Sequence, residues 1–172
     1  AALVRDRVQV GFSKIAVGYE AGIHAHAINS AQGWAFRLSE FGATIGSRTD
    51  VAELLVRANR SSLAKIRLNA ILSKICEESG CTATVVQSWT NNTYKALWES
   101  CIAKKAEAGG AASGLLELFG LPVAVGYAPI FLHREVIGVI GVVKVLNGEI
   151  AQSVSASSGA HVRYQINEAG EI

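Results

Sequence analysis

The sequence predicts an α+β domain, and three observations carry that prediction. Amphipathic helical periodicity dominates the chain up to about residue 108, Val- and Ile-rich alternating runs dominate it after about residue 121, and glycines or turn residues punctuate both parts. Helices at about 22–46, 51–60, 63–79 and 93–108 are expected to pack on a mainly antiparallel sheet ending in a C-terminal four-strand meander at about 121–167. At 172 residues the chain suits one domain, 1–172, large enough to bury its own core.

The first stretch is ambiguous. Val8, Val10 and Phe12, then Ile15, Val17 and Tyr19, alternate around Ser13 and Lys14 as a hairpin would, yet Val8, Phe12, Ile15 and Tyr19 also keep a helical spacing. From Ile23 the pattern is clearer: Ile23, Ala27, Ala31, Trp34, Leu38, Phe41 and Ile45 recur at steps of four and three, up to the stop signal Gly46. Whether Gly33 interrupts this helix is open. Asp50 with Glu53 reads as a capping box opening VAELLVRANR, and Ser62 as the cap of LAKIRLNAILSKICEES, which Gly80 ends. CTATVVQSW reads as a strand, TNN as a turn, TYKALWESCIAKKAEA as a helix and AASGLLELFG as a further short helix.

LPVAVGYAPIFL, EVIGVIGVVKVL, EIAQSVSAS and AHVRYQIN then read as four successive strands, separated by His133-Arg134, Asn147-Gly148 and Ser158-Gly159. Asn147-Gly148 is the strongest turn signal of the three, because both residues tolerate the positive φ of a two-residue hairpin turn.

Composition narrows the function classes. Only 17% of residues are charged, against about a quarter in a typical soluble domain, while half are apolar. So little charge to cover a monomer's exterior points to a homo-oligomer. The 16 basic and 14 acidic residues are scattered along the chain, giving no polyanion-binding pattern. A helix-turn-helix reading of residues 51–72, with Arg57, Arg60, Lys65 and Arg67 on a phosphate backbone, departs from the motif where Arg60 and Lys65 fall at positions the motif buries, and a solvated basic face is preferred. No apolar run approaches the roughly 18 to 20 residues of a membrane span, and AALVRDRVQV lacks a signal peptide's apolar core. Cys76, Cys81 and Cys101 form neither a paired framework nor a Cys-x-x-Cys, so reduced thiols in a cytoplasm are expected.

No Walker loop, nucleophile elbow, zincin motif or Rossmann fingerprint is present. His24 and His26 would chelate a metal only on an extended chain, and on the expected helix they point nearly opposite ways, so no metal site is expected. His133 and Arg134, at the tip of a hairpin, could offer an imidazole and a cation to an anionic ligand. His161, opening the last strand, and Trp89, ending the strand before TNN, complete the candidate ligand-binding residues. Trp34 and Trp98 are read as core. No catalytic residue and no cofactor follows from the sequence.

GYAPIFLHREVIGVIGVV resembles a strand-turn-strand element of GAF-like and profilin-like sensor domains and of the GlcG/HbpS-type haem-binding family, where such a pair forms the centre of the sheet. The preceding order of helix 63–79, strand 81–89 and helix 93–108 is similar too, so the resemblance covers about 63–145. The acidic-glycine step of GlcG/HbpS-type proteins is replaced by SWTNN, and no binding residue is carried over. The resemblance implies a sensory domain that binds a small molecule. Together with the absent catalytic motifs, it makes a non-catalytic, oligomeric ligand-binding or regulatory domain the leading expectation. A small enzyme with an intersubunit site, a nucleic-acid-binding regulator and a self-assembling scaffold are the alternatives.

Overall fold

The computed structural model describes residues 8–9, 17–88 and 95–166. In chain order they form β1 (Val8–Gln9), α1 (Val17–Gly46), α2 (Thr49–Ala58), α3 (Ser62–Ser79), β2 (Ala83–Ser88), α4 (Lys95–Trp98), α5 (Cys101–Glu107), β3 (Ala112–Leu118), β4 (Leu121–Leu132), β5 (Glu135–Val145), α6 (Ala151–Ser158) and β6 (His161–Val162). The fold is α+β with a four-stranded antiparallel sheet ordered β2-β5-β4-β3, and β1 pairs separately with β6. Two compact units are distinguished, one of Phe36–Gly114 and Val125–Lys144, the other of Ala1–Ala35, Leu115–Ala124 and Val145–Ile172.

In the first unit, α1 contributes its small face. Gly42 lies against Ala128, Ile140 and Val142, and Gly126 of β4 lies so close to α1 that a methyl there would stand 2.0 Å from the Ser39 nitrogen. Small residues on both surfaces let the helix approach the strands at backbone distance, and this fixes which face of the sheet the helix covers. α2 and α3 form a helical hairpin that buries Val51, Ala52, Leu55, Ala64, Leu68 and Leu72. The end of α3 is tied down from several directions. Gly80 takes the left-handed C-cap with φ of 72°, Lys144 donates its ammonium hydrogen to the Gly80 carbonyl, and Cys76 is bonded to Cys81.

In the other unit the organising residue is Asn147. Its side chain accepts from the Tyr164 backbone nitrogen at 2.6 Å and donates to the Tyr164 carbonyl at 2.7 Å, standing in for a paired strand. Tyr164 is fully buried and donates its hydroxyl hydrogen to the Ala27 carbonyl at 2.5 Å. Ile23, Ala27 and Ala31 of α1 are buried here, as are Ile150 and Val154.

Several expectations are corrected. α1 begins at Val17 and runs unbroken through Gly33, and its buried stripe takes in Ala35 and Gly42 where Trp34 and Phe41 were expected. No capping box opens α2. Asp50 is already inside it and accepts from the Val51 nitrogen and from Arg48, whose guanidinium holds the carboxyl below the usual range. Ser61, not Ser62, caps α3. The expected helix 93–108 is two, because Ser100 leaves helical geometry and caps α5 by accepting from the Ala103 nitrogen.

AASGLLELFG is strand β3, not helix, joined to β4 by a two-residue turn in which Phe119 and Gly120 have φ of 52° and 74°. The sheet therefore has four strands but not those at 121–167: β2 and β3 replace the last two. EIAQSVSAS folds as helix α6, since Ile150, Ala151 and Val154 make a buried helical stripe that outweighs its alternating reading. AHVRYQIN is extended over only His161–Val162. Asn147-Gly148 is no hairpin turn: Asn147 has φ of −82°, and its side chain is engaged with Tyr164. Finally, the reduced thiols expected at 76 and 81 are a disulfide, with their Cα atoms 5.1 Å apart.

Candidate functional site

Strand register assigns residues to the two faces of the sheet. Val86 pairs with Ile140 and Thr84 with Val142, and Ile140 and Val142 lie against Gly42 of α1. The alternate residues face the other way: Val85 opposite Gly141, and Gln87 opposite Val139. On this second face the cover comes from α4. The space above Gly141, where a side chain would stand, is taken by Trp98, Leu97 and Tyr127, all 3.3 to 3.5 Å from the position of a methyl. Trp98 and Tyr127 pack with ring centres 5.8 Å apart. Trp98 is thus core, as its apolar stripe predicts.

The polar groups beneath that cover are satisfied internally. Tyr127 donates to the Leu97 carbonyl at 2.5 Å, and burial pushes its hydroxyl up to about 12. Ser100 donates to Leu97 or Tyr127 and accepts from Ala103. One group is not satisfied. Gln87 Oε1, two residues along β2 from the covered Val85–Gly141 pair, is closed to solvent and has no hydrogen-bond partner among the described residues. A buried acceptor without a donor costs about 1–3 kcal/mol. Val139 opposite it is fully buried, while Val85 and Gln87 themselves are half-buried. The result is a mostly apolar face with one polar group left without a partner among the described residues.

Two cavities lie elsewhere. One of about 430 Å³ is lined by Gly120, Leu121, Asn147, Arg163, Tyr164 and Gln165 among others, and Gln165 Oε1 is also without a partner among the described residues. One of about 400 Å³ is lined by Asn69, Leu72, Cys76, Cys81 and Thr84 among others. The walls of the first are half exposed, Leu121 and Arg163 among them, and those of the second are mostly exposed, Asn69 and Thr82 among them.

The residues expected to form a site fall in different places. His133 and Arg134 do form a hairpin tip, with φ of 50° and 68°, but both are exposed and neither has a hydrogen bond or ion pair among the described residues. His161 is exposed and belongs to the other unit. Trp89 lies outside the described residues. His24 and His26 share a helix but not a face, and His26 instead meets the Ser157 hydroxyl at 3.0 Å. Among the described residues no cluster of three potential metal ligands occurs, and no helix is long and apolar enough to cross a membrane. Gln87 was missed because a single glutamine in a strand carries no sequence signal; the register that turns it inward comes only with the fold.

No family model matches the chain, and no curated protein matches it in sequence. Among solved structures it is similar to the sensor domain of Escherichia coli DcuS, with a TM-score of 0.54 and 14% identity, covering 76% of this chain and 98% of that one. It is also similar to the sensor domain of the Vibrio cholerae histidine kinase DctB, with a TM-score of 0.51 and 16% identity, covering 76% of this chain and 58% of that one. The fold is therefore one that sensor domains use. The sensor half of the sequence resemblance is carried by these neighbours; a likeness to GAF or to GlcG/HbpS-type proteins is not shown.

Proposed function

We propose that this chain is the ligand-binding part of a sensory or regulatory protein, and that its small-molecule ligand sits on the second face of the sheet at Gln87. The buried, unpartnered Gln87 Oε1 on an otherwise apolar face carries the reading. The fold shared with two sensor domains supports it. The reading is one of binding, not catalysis, because the described residues of that face supply no paired acid and base and no activated nucleophile.

Two further expectations belong to this reading. Self-association is supported by the low charge together with the exposed Phe36, Val56, Leu63 and Ile66. An oxidising compartment, in place of the cytoplasm, is supported by the Cys76–Cys81 bond.

Native mass spectrometry of protein purified from its source tests the reading. A reproducible extra mass, lost on denaturation, is expected. A bare polypeptide that also shows no thermal shift across a library of small metabolites would overturn it. The same spectra report subunit number, and a monomer removes the self-association proposal. Alkylation without reductant is expected to label Cys101 alone; labelling of Cys76 and Cys81 would return the chain to a reducing compartment.

A further inference from the structure

We infer that two copies of this chain associate through their α2–α3 hairpins, with the two α3 helices antiparallel about a two-fold axis near Ala70. The inference rests on the self-association reading above and deepens it by naming the face, its orientation and its contacts.

The outward side of α3 defines the face. Leu63, Ile66, Ala70, Ser73 and Glu77 recur at steps of three and four, the spacing of one helical stripe, and all are exposed. The opposite stripe, Ala64, Leu68, Leu72 and Ile75, is the buried one. Leu63 and Ile66 keep 58% and 64% of their surface in solvent, and Val56 of α2 keeps 49%. Ala70 and Ser73, at the middle of the outward stripe, are small enough to let a second helix approach closely.

Charge sets the orientation. The tip of the hairpin is basic, since Arg57, Arg60, Lys65 and Arg67 are all exposed and no acidic residue occurs between Glu53 and Glu77. The base is mainly acidic, with Glu53, Glu77 and Glu78 exposed and Lys74 placed three and four residues before two of them on the same helix. There the Arg48 guanidinium is held above its ordinary range by its hydrogen bond to Asp50 and also by nearby Glu78, so the start of α2 and the end of α3 lie together.

This polarity runs against the dipole of α3, which favours acids at the start of a helix and bases at its end. α3 has no acid in its first turn and no base in its last. A second α3 laid antiparallel answers both ends, because the acidic base of each hairpin comes beside the basic tip of the other. Parallel pairing would instead set tip against tip, cation against cation. With the axis at Ala70, Ile66 lies beside the methylene stem of the partner's Lys74, and the partner's Glu77 comes against Leu63, between Arg60 and Arg67.

Sedimentation velocity on the whole chain tests the arrangement. Arg67→Glu and Glu77→Arg each set like charges together twice across the axis, and each alone should weaken the dimer about tenfold or more, whereas the two combined should bring it back to within about threefold of wild type. Residues 67 and 77 stand about 15 Å apart along one helix, so recovery in the combined variant must come from between chains. Leu63→Ser with Ile66→Ser should also weaken the dimer about tenfold, and, both side chains being exposed, should leave the helical circular dichroism signal unchanged.

Unchanged association in both single charge variants would overturn this face and leave self-association through another face standing. Weakening by each single variant without recovery in the combined one would overturn the antiparallel order. A monomer at every concentration removes both readings. Should a charge variant fail to fold, Leu63→Ser with Ile66→Ser decides, and an undiminished dimer there would overturn the inference.

Discussion

Gly126 and Gly33 are both glycines beside or within α1, and the structure gives their alanine substitutions opposite signs. At Gly126 the added methyl would meet the Ser39 nitrogen at 2.0 Å, the Leu38 carbonyl carbon at 2.3 Å and the Ser39 Cα at 2.5 Å. These are backbone atoms of a helix and cannot rotate aside, so α1 would have to retreat by more than an ångström. That retreat opens the contacts of Gly42 with Ala128, Ile140 and Val142, now at 3.4 to 3.5 Å, and a gap of that size forfeits a large part of each dispersion well. Overpacking costs about 1–3 kcal/mol, and an immovable partner puts Gly126→Ala at about 3 or above. Gly33 has nothing within 4 Å of its methyl position and lies exposed inside the helix. Alanine there should stabilise by about 0.5–1 kcal/mol, because glycine loses more backbone freedom on folding. In a chain of this size 1 kcal/mol moves Tm by about 2–4 °C, so thermal and urea denaturation followed by circular dichroism should show a fall of about 6–12 °C for Gly126→Ala and a rise of about 1–4 °C for Gly33→Ala. A Gly126→Ala protein within about 0.5 kcal/mol of wild type would refute the close helix–sheet approach. A destabilised Gly33→Ala would refute the continuous helix.

Other outcomes follow from other contacts. Tyr127 and Tyr164 are both pushed up to about 12 by burial, against about 10 in an unfolded chain, so the folded state keeps protons that the unfolded state releases. Their contribution is complete below pH 10 and is lost as pH rises from 10 to 12, at up to about 1.4 kcal/mol per pH unit for each. The tyrosinate absorbance of these two should therefore rise together with loss of helix, and more than two of the chain's four tyrosines titrating near pH 10 in folded protein would contradict it. Asn147→Ala leaves the Tyr164 N–H and carbonyl unpaired and should cost about 1–3 kcal/mol in urea unfolding. His133 and Arg134 hold positive φ values that β-carbons resist by about 1–2 kcal/mol per residue, so the pair His133→Asn and Arg134→Gly should raise Tm, and a fall would show that the tip makes contacts of its own.

What the sequence made legible was what local pattern determines. Helices α1, α2 and α3 and strands β4 and β5 follow from periodicity within a single segment, and so does the His133-Arg134 turn between those strands. The misreadings share a different cause, which is that the deciding partner is remote in the chain. Asn147 favours a turn locally, but 17 residues on it finds the Tyr164 backbone, and that pair of hydrogen bonds outweighs a hairpin. EIAQSVSAS alternates well enough for a strand, yet burying Ile150 and Val154 on one helical stripe is the better solution. Cys76 and Cys81 have no motif spacing, and only the reversal at Gly80 brings them within bonding range. The candidate site likewise turns on placement. Histidines, arginines and tryptophans attract a reading by residue type, but exposure left His133, Arg134 and His161 on the surface. A glutamine becomes informative only when pairing with Val139 turns it to the face that α4 covers and its oxygen finds no donor there.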